Sequence, residues 1–304
     1  MRISTSQMFQ NGIDVIQRRQ QELAKTQNQL STGRRILRPS DDPSGSVQTL
    51  KFESSIERTE QYQRNATLAE QRLRLTESTL GGVTDGLQRI RELTVRANNG
   101  TETDETRRYI AAEMRQVLAG LVDLANARDA NGEYIFSGYA SDARPFDVDI
   151  DAGNYAYSGA DMSREVDISP VRRVNLGNPG GEVFGDGASN TALFEEIGKL
   201  ILTLEDPAAF QAAGGVGDKL TELDQSLGRI LDIQATLGAR LNGVETQENL
   251  NAEQILQLET TLSQIRDLDY AEAISRFSLQ QVSLQAAQQT YVQVQRLSLF
   301  DYLR

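Results

Sequence analysis

Apolar residues recur in alternating steps of four and three along the first thirty positions of the chain. The series runs through Phe9, Ile13, Ile16, Gln20, Leu23, Gln27 and Leu30. This heptad pattern predicts an amphipathic helix with one face that packs against a partner helix. Two of the seven seam positions carry glutamine, which weakens an isolated helix pair. The glycine in the segment STG (31–33) predicts the end of the helix.

The segment PSDDPSG (39–45) predicts the start of a second helix. Asp42 is suited to cap the first turn, and Pro43 to the first helical position, where a backbone N–H is not needed. The seam of this helix is predicted at Ala69, Leu73, Thr76, Leu80, Val83, Leu87, Ile90, Thr94 and Ala97. A turn at NNGTETDE (98–105) separates it from a third helix, whose apolar face holds Ile110, Met114, Val117, Leu121 and Leu124.

The longest heptad series lies in the C-terminal half and predicts a helix from about 220 to 266, on the order of 70 Å long. Its twelve seam positions are Leu227, Ile230, Gln234, Leu237, Leu241, Val244, Glu248, Asn251, Ile255, Leu258, Leu262 and Ile265. The pattern changes register at RDLDYAEA (266–273). A last helix follows, with its seam predicted at Ile274, Phe277, Gln281, Leu284, Gln288, Tyr291 and Gln295.

Between residues 131 and 190 the pattern changes to short runs such as EYIFSG, NYAYSG and REVDI, interrupted by Gly, Asp, Asn and Pro. These runs predict a small β-rich region with tight turns. The glycine-rich stretches NLGNPGGEVFGDG and GGVGDK fit no phosphate-binding pattern and are interpreted as loops. Helical signals resume near Ala192, and AAGGVGD (212–218) is predicted to be a loop.

The order of these elements predicts a mainly α protein with a β-rich insert, built as an elongated antiparallel helical rod or coiled-coil bundle in which the N- and C-terminal helices pair. We expect three regions. Residues 1–40 and 267–304 form a terminal coiled-coil domain. Residues 41–130 and 191–266 form a helical rod domain, and residues 131–190 form an outward β-rich domain.

The last turns of the chain carry more apolar side chains than one partner helix can cover. Burying each is worth about 1.5–3 kcal/mol, so a soluble protein rarely leaves them exposed. We therefore expect the chain ends to be poorly ordered in the lone protein and to fold when copies or relatives join. The predicted assembly interface comprises Phe9, Ile13, Ile16, Leu23, Leu30, Phe277, Leu284, Tyr291, Leu297, Leu299, Phe300 and Leu303.

Charge is unevenly distributed along the chain, whose formal net charge is −12. Residues 1–38 hold seven bases against two acids, whereas residues 101–225 hold 10 bases against 23 acids. The overall acidity argues against a nucleic-acid binder, because phosphate binding requires a basic face. There is no run of about 20 apolar residues, so we expect no membrane insertion, and no cleaved secretory signal is visible at the start.

The sequence offers little for catalysis or metal binding, because it contains no His and no Cys. Asp147, Asp149 and Asp151 have the spacing of a calcium loop, but the glycine and the last ligand are misplaced, and a solvated acidic turn is favoured. Asp41 and Asp42 could in principle do acid–base work, but a carboxylate before proline is more often a helix cap. We therefore expect no enzyme activity, no cofactor and no metal.

The segment between the first two helices is the helix-turn motif, comprising Gly33, Arg34, Arg35, Asp41, Asp42, Pro43 and Gly45. A basic cluster just past a helix end can bind phosphate. It more often serves as a partner for helix carbonyls or as a contact between subunits.

Three stretches together identify the family that the chain resembles. QLSTGRRILRPSDDPSG near the start, GEYIFSGYASDARPF in the middle and SLQQVSLQAAQQTYVQVQRLSLFDYL at the end are similar to segments of the bacterial flagellin family. The opening MRISTSQMF and the closing LSLFDYL resemble those members that join the flagellar hook to the filament. The similarity spans nearly the whole chain, and residues 150–215 match no pattern of the family.

This resemblance implies a non-catalytic structural adaptor of the extracellular flagellum. Its implied partners are further copies of itself in a ring or helical layer, the preceding hook-associated junction protein, flagellin and a flagellar export chaperone that holds the C-terminal region. It also implies that the terminal helices line an inner tube, that the β region points outward, and that the unfolded chain is exported through the flagellar type III channel.

Two other interpretations remain open at the level of sequence. A short flagellin would polymerise into the filament by itself, whereas a junction protein would stop at a thin layer. A soluble coiled-coil scaffold would form a discrete dimer with ordered ends.

Overall fold

The computed structural model describes the backbone of residues 2–302 and the side chains of residue 7 and residues 9–293. The helices are α1 (Arg2–Thr32), α2 (Pro43–Ala97), α3 (Asp104–Ala125), α4 (Gly180–Phe184), α5 (Ala192–Glu205), α6 (Pro207–Ala212), α7 (Gly217–Arg266) and α8 (Tyr270–Tyr302). The strands are β1 (Phe146–Asp149), β2 (Asn154–Tyr157), β3 (Glu165–Ser169) and β4 (Arg172–Asn175). The mainly α fold with a small β insert and paired terminal helices is thus confirmed.

Backbone contacts divide the chain into two compact units. Unit 1 comprises Met1–Arg58 and Gln254–Arg304, and unit 2 comprises Thr59–Glu253. Unit 1 contains α1, the start of α2, the end of α7 and α8, whereas unit 2 contains all the strands and the remaining helices. The division into three domains made from the sequence stays a prediction.

The core of unit 2 is built by α2, α3, α5 and α7 together with α4 and the strands and loops of the β region. All nine seam positions predicted on α2 are fully or almost fully buried, as are Met114, Leu118 and Leu121 on α3. On α7, the predicted residues Ile230, Leu237 and Val244 are buried in the same cluster. The heptad spacing therefore identified the core-facing stripes of the two long helices correctly.

The β region consists of two separate antiparallel hairpins. β1 pairs with β2 so that Phe146 lies opposite Tyr157, and β3 pairs with β4 so that Glu165 lies opposite Asn175. A side-chain amide from each long helix holds β3 in place. Asn65 Nδ2 donates to the carbonyl of Asp167 (2.8 Å), and buried Asn251 Nδ2 donates to that of Ile168 (3.1 Å).

Two expectations for the central region were wrong. The run EYIFSG forms no strand beyond a single bridge of Tyr134 to Arg128; instead Ile135 and Phe136 insert into the core. Gly138 turns the chain at φ +62, which only glycine adopts readily. The glycine-rich stretch 175–187 is not wholly a loop, because it contains α4, whose Phe184 packs edge-on against Phe136.

The neighbouring residues Glu195 and Glu196 on α5 have pKa values that are shifted in opposite directions. Burial raises the pKa of Glu196, although its carboxylate accepts a hydrogen bond from Ser226 Oγ (2.8 Å). Hydrogen bonds from the hydroxyls of Ser189 and Thr191 lower the pKa of Glu195.

We expect Glu196→Gln to stabilise the protein at neutral pH, because the neutral amide avoids the penalty for burying a carboxylate. A raised pKa means that the stability from Glu196 is full in acid and is lost as pH rises through that pKa. The added stability of the Glu196→Gln variant over the parent protein should therefore disappear in acid. The measurement is urea unfolding at several pH values.

The neighbouring variant Glu195→Gln serves as the matched control. Because the pKa of Glu195 is lowered, its stability contribution is present at neutral pH and is lost as pH falls. This variant should be less stable than the parent at neutral pH and equal to it in acid. Equal behaviour of the two variants would contradict the opposed shifts.

Candidate assembly interface

The terminal helices α1 and α8 pack against each other within unit 1. Seven of the predicted interface residues lie along this contact and are all only half-buried: Phe9, Ile16, Leu23, Leu30, Phe277, Leu284 and Tyr291. Phe9 and Tyr291 meet edge to face with ring centroids 6.2 Å apart. The pair thus has a genuine apolar seam that a single partner helix leaves partly open.

On α1, some of the residues on the packed side lie one position before the seam residue that the sequence predicted. Gly12 and Thr26 face the packed side, whereas Ile13 is 42% exposed and Gln27 is exposed. Gln20, also predicted in the seam, is exposed. The next residue on the same face of a helix can lie three or four positions later in the chain. On α1 the residue three positions later, which is the smaller of the two, faces α8. At Gly12 a Cβ atom would lie 2.9 Å from Cδ2 of Tyr291, so the helices are close at this point.

The same displacement occurs on α8. Phe277, Leu284 and Tyr291 lie on the packed side as predicted, but the intervening positions are Ala273, Gln280 and Ala287 instead of Ile274, Gln281 and Gln288. Ala273 is fully buried and Ile274 is 55% exposed. The small residues Ala273 and Ala287 let the helices approach, and the larger apolar side chain of Ile274 points away.

Exposed apolar side chains lie on the outer faces of the pair and are called here the apolar stripe. Its members, each at least 42% exposed, are Ile13, Ile274, Leu279, Val282 and Val292. Leu279 and Val282 are exposed by 69% and 63%. Scattered apolar residues are ordinary on a protein surface, but a stripe along paired helices is typical of an interaction site.

Four of the predicted interface residues are not tested by the side-chain geometry. Leu297, Leu299 and Phe300 lie in the helical backbone of α8, but their side chains are outside the described residues. Leu303 is outside the described residues altogether.

The helix-turn motif begins where α1 ends, at Gly33. Its φ of +70 is in the left-handed region that favours glycine, and its N–H donates to the carbonyl of Gln29 (2.9 Å). The Gly33 carbonyl accepts from the N–H of Leu268 (2.9 Å), and the N–H of Arg35 donates to the carbonyl of Arg266 (2.8 Å). The segment after α1 is therefore joined to the α7–α8 connection by backbone hydrogen bonds.

The Arg35 side chain donates hydrogen bonds to a carbonyl at the end of α7. Its Nε and Nη2 both donate to the carbonyl of Ile265, at 3.2 and 2.8 Å, in the last turn of α7. Its Nη2 also lies 3.4 Å from Asp42 Oδ2. A guanidinium at this end of a helix satisfies a carbonyl that lacks an intrahelical partner.

Asp41 and Asp42 have structural roles in the turn. Asp41 Oδ1 accepts from Lys25 Nζ (2.8 Å), and this bond is the main cause that lowers the pKa of Asp41. Asp42 caps α2 by accepting from the N–H of Gly45 (2.8 Å), with Pro43 at the first helical position. At Gly45, a Cβ would lie 2.6 Å from Cδ1 of Ile36, so the turn has no room for a side chain there.

One buried residue of the turn escaped the sequence reasoning. Gln29 is 6% exposed, and its Nε2 donates to the carbonyl of Arg35 (2.6 Å). Glutamine is usually exposed, so nothing in the helical pattern singled it out. The one available signal was that Gln29 lies close in the sequence to the predicted end of the helix.

The acidic turn at the end of β1 satisfies its own backbone. Asp149 Oδ1 accepts from the N–H groups of Asp151 (3.1 Å) and Ala152 (3.0 Å). Among the side chains of residue 7 and residues 9–293, no cluster of three or more acidic, histidine or cysteine groups has the geometry to hold a metal ion. In the same range no helix is long and apolar enough to span a bilayer.

Two family models match the chain. Residues 3–141 match the bacterial flagellin N-terminal helical region, and residues 220–303 match the bacterial flagellin C-terminal helical region. Together these include α1–α3, α7 and α8. The segment between them holds both β hairpins and the shorter helices.

Curated relatives match over most or all of their length. The flagellar hook-associated protein 3 of Salmonella typhimurium is 32% identical over the whole of both chains, and that of Escherichia coli is 33% identical over 99% of each. A flagellar filament 33 kDa core protein of Treponema phagedenis is 29% identical over 86% of this chain and 85% of its own.

The fold is also that of a solved structure. A flagellar hook-associated protein from Vibrio parahaemolyticus superposes with a TM-score of 0.68 at 23% identity, covering 75% of this chain and all of the other.

Proposed function

The chain belongs to the bacterial flagellin family of flagellar structural proteins, and from this premise we propose that it is the adaptor that joins the flagellar hook to the filament. The observation that carries this proposal is the end-to-end match to hook-associated protein 3 from two organisms. The filament core protein matches a smaller share of the chain at lower identity, which favours the junction role over that of a short flagellin.

The exposed apolar stripe of α1 and α8 supplies the physical basis for assembly. These side chains are between 42% and 69% exposed, so burying the rest of each would contribute roughly half of the about 1.5–3 kcal/mol of a whole apolar side chain, and neighbouring copies offer the same stripe. We propose that the terminal helices of many copies pack into an inner tube while the β region points outward. That the chain ends become ordered only on assembly stays a prediction.

The junction role defines the partners that we propose. They are further copies of the chain in a ring or helical layer, the preceding hook-associated protein on one side and flagellin on the other. Before assembly, an export chaperone would cover the C-terminal region, and the chain would leave the cell through the flagellar type III apparatus. The protein acts in the extracellular flagellum, and we propose no catalytic role for it.

The test of this function is complementation of a bacterium that lacks its own hook-associated protein 3. We expect expression of this chain to restore filaments on the hooks, measured by electron microscopy and by swimming in soft agar. Hooks that stay bare while the protein is exported would contradict the proposal.

A second measurement separates the junction role from the two alternatives. Purified protein added to isolated hooks should form a thin layer that stops growing. Continued growth into long filaments would indicate a flagellin. A discrete dimer with no affinity for hooks would indicate a soluble scaffold.

A further inference from the structure

Asparagine is followed by glycine at four places in the chain, and such a pair can modify itself: the asparagines are Asn11, Asn99, Asn131 and Asn242. The backbone nitrogen of the glycine attacks the side-chain carbonyl carbon of the asparagine, because glycine has no side chain to obstruct the approach. The new C–N bond closes a succinimide ring. The side-chain nitrogen leaves as ammonia and takes up the proton that the glycine nitrogen gives up. Water then opens the ring to aspartate or isoaspartate.

The exposure of the asparagine side chain does not distinguish these pairs. Asn99, Asn131 and Asn242 all lie in unit 2, and all three are exposed. Asn11 is exposed as well, but it lies in α1, whose end we expect to become ordered only on assembly, so the comparison is made within unit 2. What differs among these three pairs is the hydrogen bonding of the glycine nitrogen, which must turn toward the side chain in order to react.

In two of the three pairs the glycine nitrogen is held by a hydrogen bond. The N–H of Gly132 donates to the carbonyl of Asp129 (3.0 Å) and closes the turn that contains Asn131. Gly243 lies in the middle of α7, where each backbone N–H donates to the carbonyl four positions earlier. Reaction at Asn131 or Asn242 therefore requires that the turn or the helix first open locally.

The turn between α2 and α3 leaves its glycine nitrogen unbound. Within the described part of the chain the N–H of Gly100 makes no hydrogen bond, whereas the N–H of Thr101 donates to Asn99 Oδ1 (3.3 Å). This bond folds the Asn99 side chain over the peptide of Gly100 and polarises the carbonyl that is attacked. Gly100 is exposed, and a Cβ atom there would meet no other atom within 4 Å, so ring closure is not obstructed.

We infer that Asn99 is a site of spontaneous deamidation in the folded protein, and that the unbound Gly100 nitrogen makes it react before Asn131 and Asn242. Water is the only co-reactant. The product adds a carboxylate next to the acidic first turn of α3, and its isoaspartyl form adds a methylene group to the backbone of the turn. Because the loss of ammonia is irreversible, the product accumulates with the age of each copy. The inference does not depend on the junction role.

The first test incubates the full-length protein at mildly alkaline pH in water enriched in heavy oxygen. The alkaline pH favours loss of the glycine N–H proton, and the water that opens the ring leaves its oxygen in the new carboxylate. Trypsin cleaves after Arg96, Arg128 and Arg240, so the three pairs are recovered in separate peptides for mass spectrometry. We expect Asn99 to gain label at least about tenfold faster than the other two, a ratio that corresponds to about 1.4 kcal/mol of local opening.

The protein unfolded in urea is the control for intrinsic reactivity. Unfolding removes the hydrogen bonds of the turn and of the helix, so the three rates should converge. Equal rates in the folded protein, a slower rate at Asn99 than at either other pair, or no label at Asn99 would each overturn the inference. A ratio that persists in urea would also overturn it, because the ranking would then arise from the local sequence and not from the fold.

The second test uses the Gly100→Ala protein. The φ of Gly100 is not in the left-handed region and the space around it is open, so alanine should be accepted without a change in the unfolding midpoint. The added methyl group obstructs the nitrogen, and we expect labelling of Asn99 to fall at least about tenfold. Gly120→Ala, at an exposed glycine of α3 with equally open surroundings, is the matched control and should leave the rate unchanged. An undiminished rate in the Gly100→Ala protein would overturn the inference.

Discussion

Removal of residues 285–304 is expected to leave a soluble, folded protein that cannot support filament growth. The deletion takes away the second half of α8, including Tyr291, which packs against Phe9, and the exposed Val292. Unit 2 ends at Glu253 and keeps its whole core, so its unfolding midpoint should change little. Circular dichroism would measure the remaining fold, and complementation would measure filament growth.

A full-length control separates the loss of apolar surface from the loss of length. Replacing Leu297, Leu299, Phe300 and Leu303 by glutamine keeps a helix-compatible sequence while removing the burial energy of these side chains. We expect the same absence of filaments as for the deletion. Filaments in either variant would show that the terminal apolar side chains are not needed for assembly.

The largest loss of stability is expected for Phe146→Ala. The Phe146 ring is fully buried, and its centroid lies 5.1 Å from that of Phe184, 5.2 Å from that of Phe194 and 5.0 Å from that of Tyr157. Truncating a buried phenylalanine costs about 3–5 kcal/mol, because transfer energy is lost and a cavity remains. The three elements that carry these rings, β2, α4 and α5, could not close this space without moving a strand or helix. Urea unfolding measures the loss.

Tyr139→Ala is the matched control for an aromatic residue of the same region. Tyr139 is 59% exposed, so its removal should change the free energy of unfolding by no more than about 0.5 kcal/mol. A loss for Phe146→Ala as small as that of the control would show that the aromatic cluster does not stabilise unit 2.

The sequence predicted the long helices well because their apolar positions repeat over many turns. Leu73, Leu80 and Leu87 on α2 and Leu237 and Val244 on α7 face the core, as their spacing requires. A pattern repeated this often leaves little freedom in choosing the buried face. The same is true of the start of α2, where Asp42 and Pro43 give a local signal of known chemistry.

The sequence failed where two faces are almost equally apolar. On α8, Ile274 is more hydrophobic than Ala273, so pattern reading selected the wrong neighbour. The structure buries Ala273 because its small side chain permits close packing. Helix spacing alone cannot decide between the third and the fourth residue, since both lie on the same side of a helix. The partner helix makes that choice.

The contacts of the helix-turn motif could not be predicted from the sequence for a different reason. Arg35 bonds to the carbonyl of Ile265, which is 230 positions away in the chain. Gln29 is buried because the turn folds back over it. Local patterns can indicate a cap or a glycine stop, but they do not say which distant segment the turn will meet.

A flagellar junction carries mechanical load. The turn after α1 is attached to its own subunit at three points. The Gly33 carbonyl, the Arg35 N–H and the Arg35 guanidinium each hold the segment Ile265–Leu268. Drawing α1 out of its subunit would therefore require all three attachments to break.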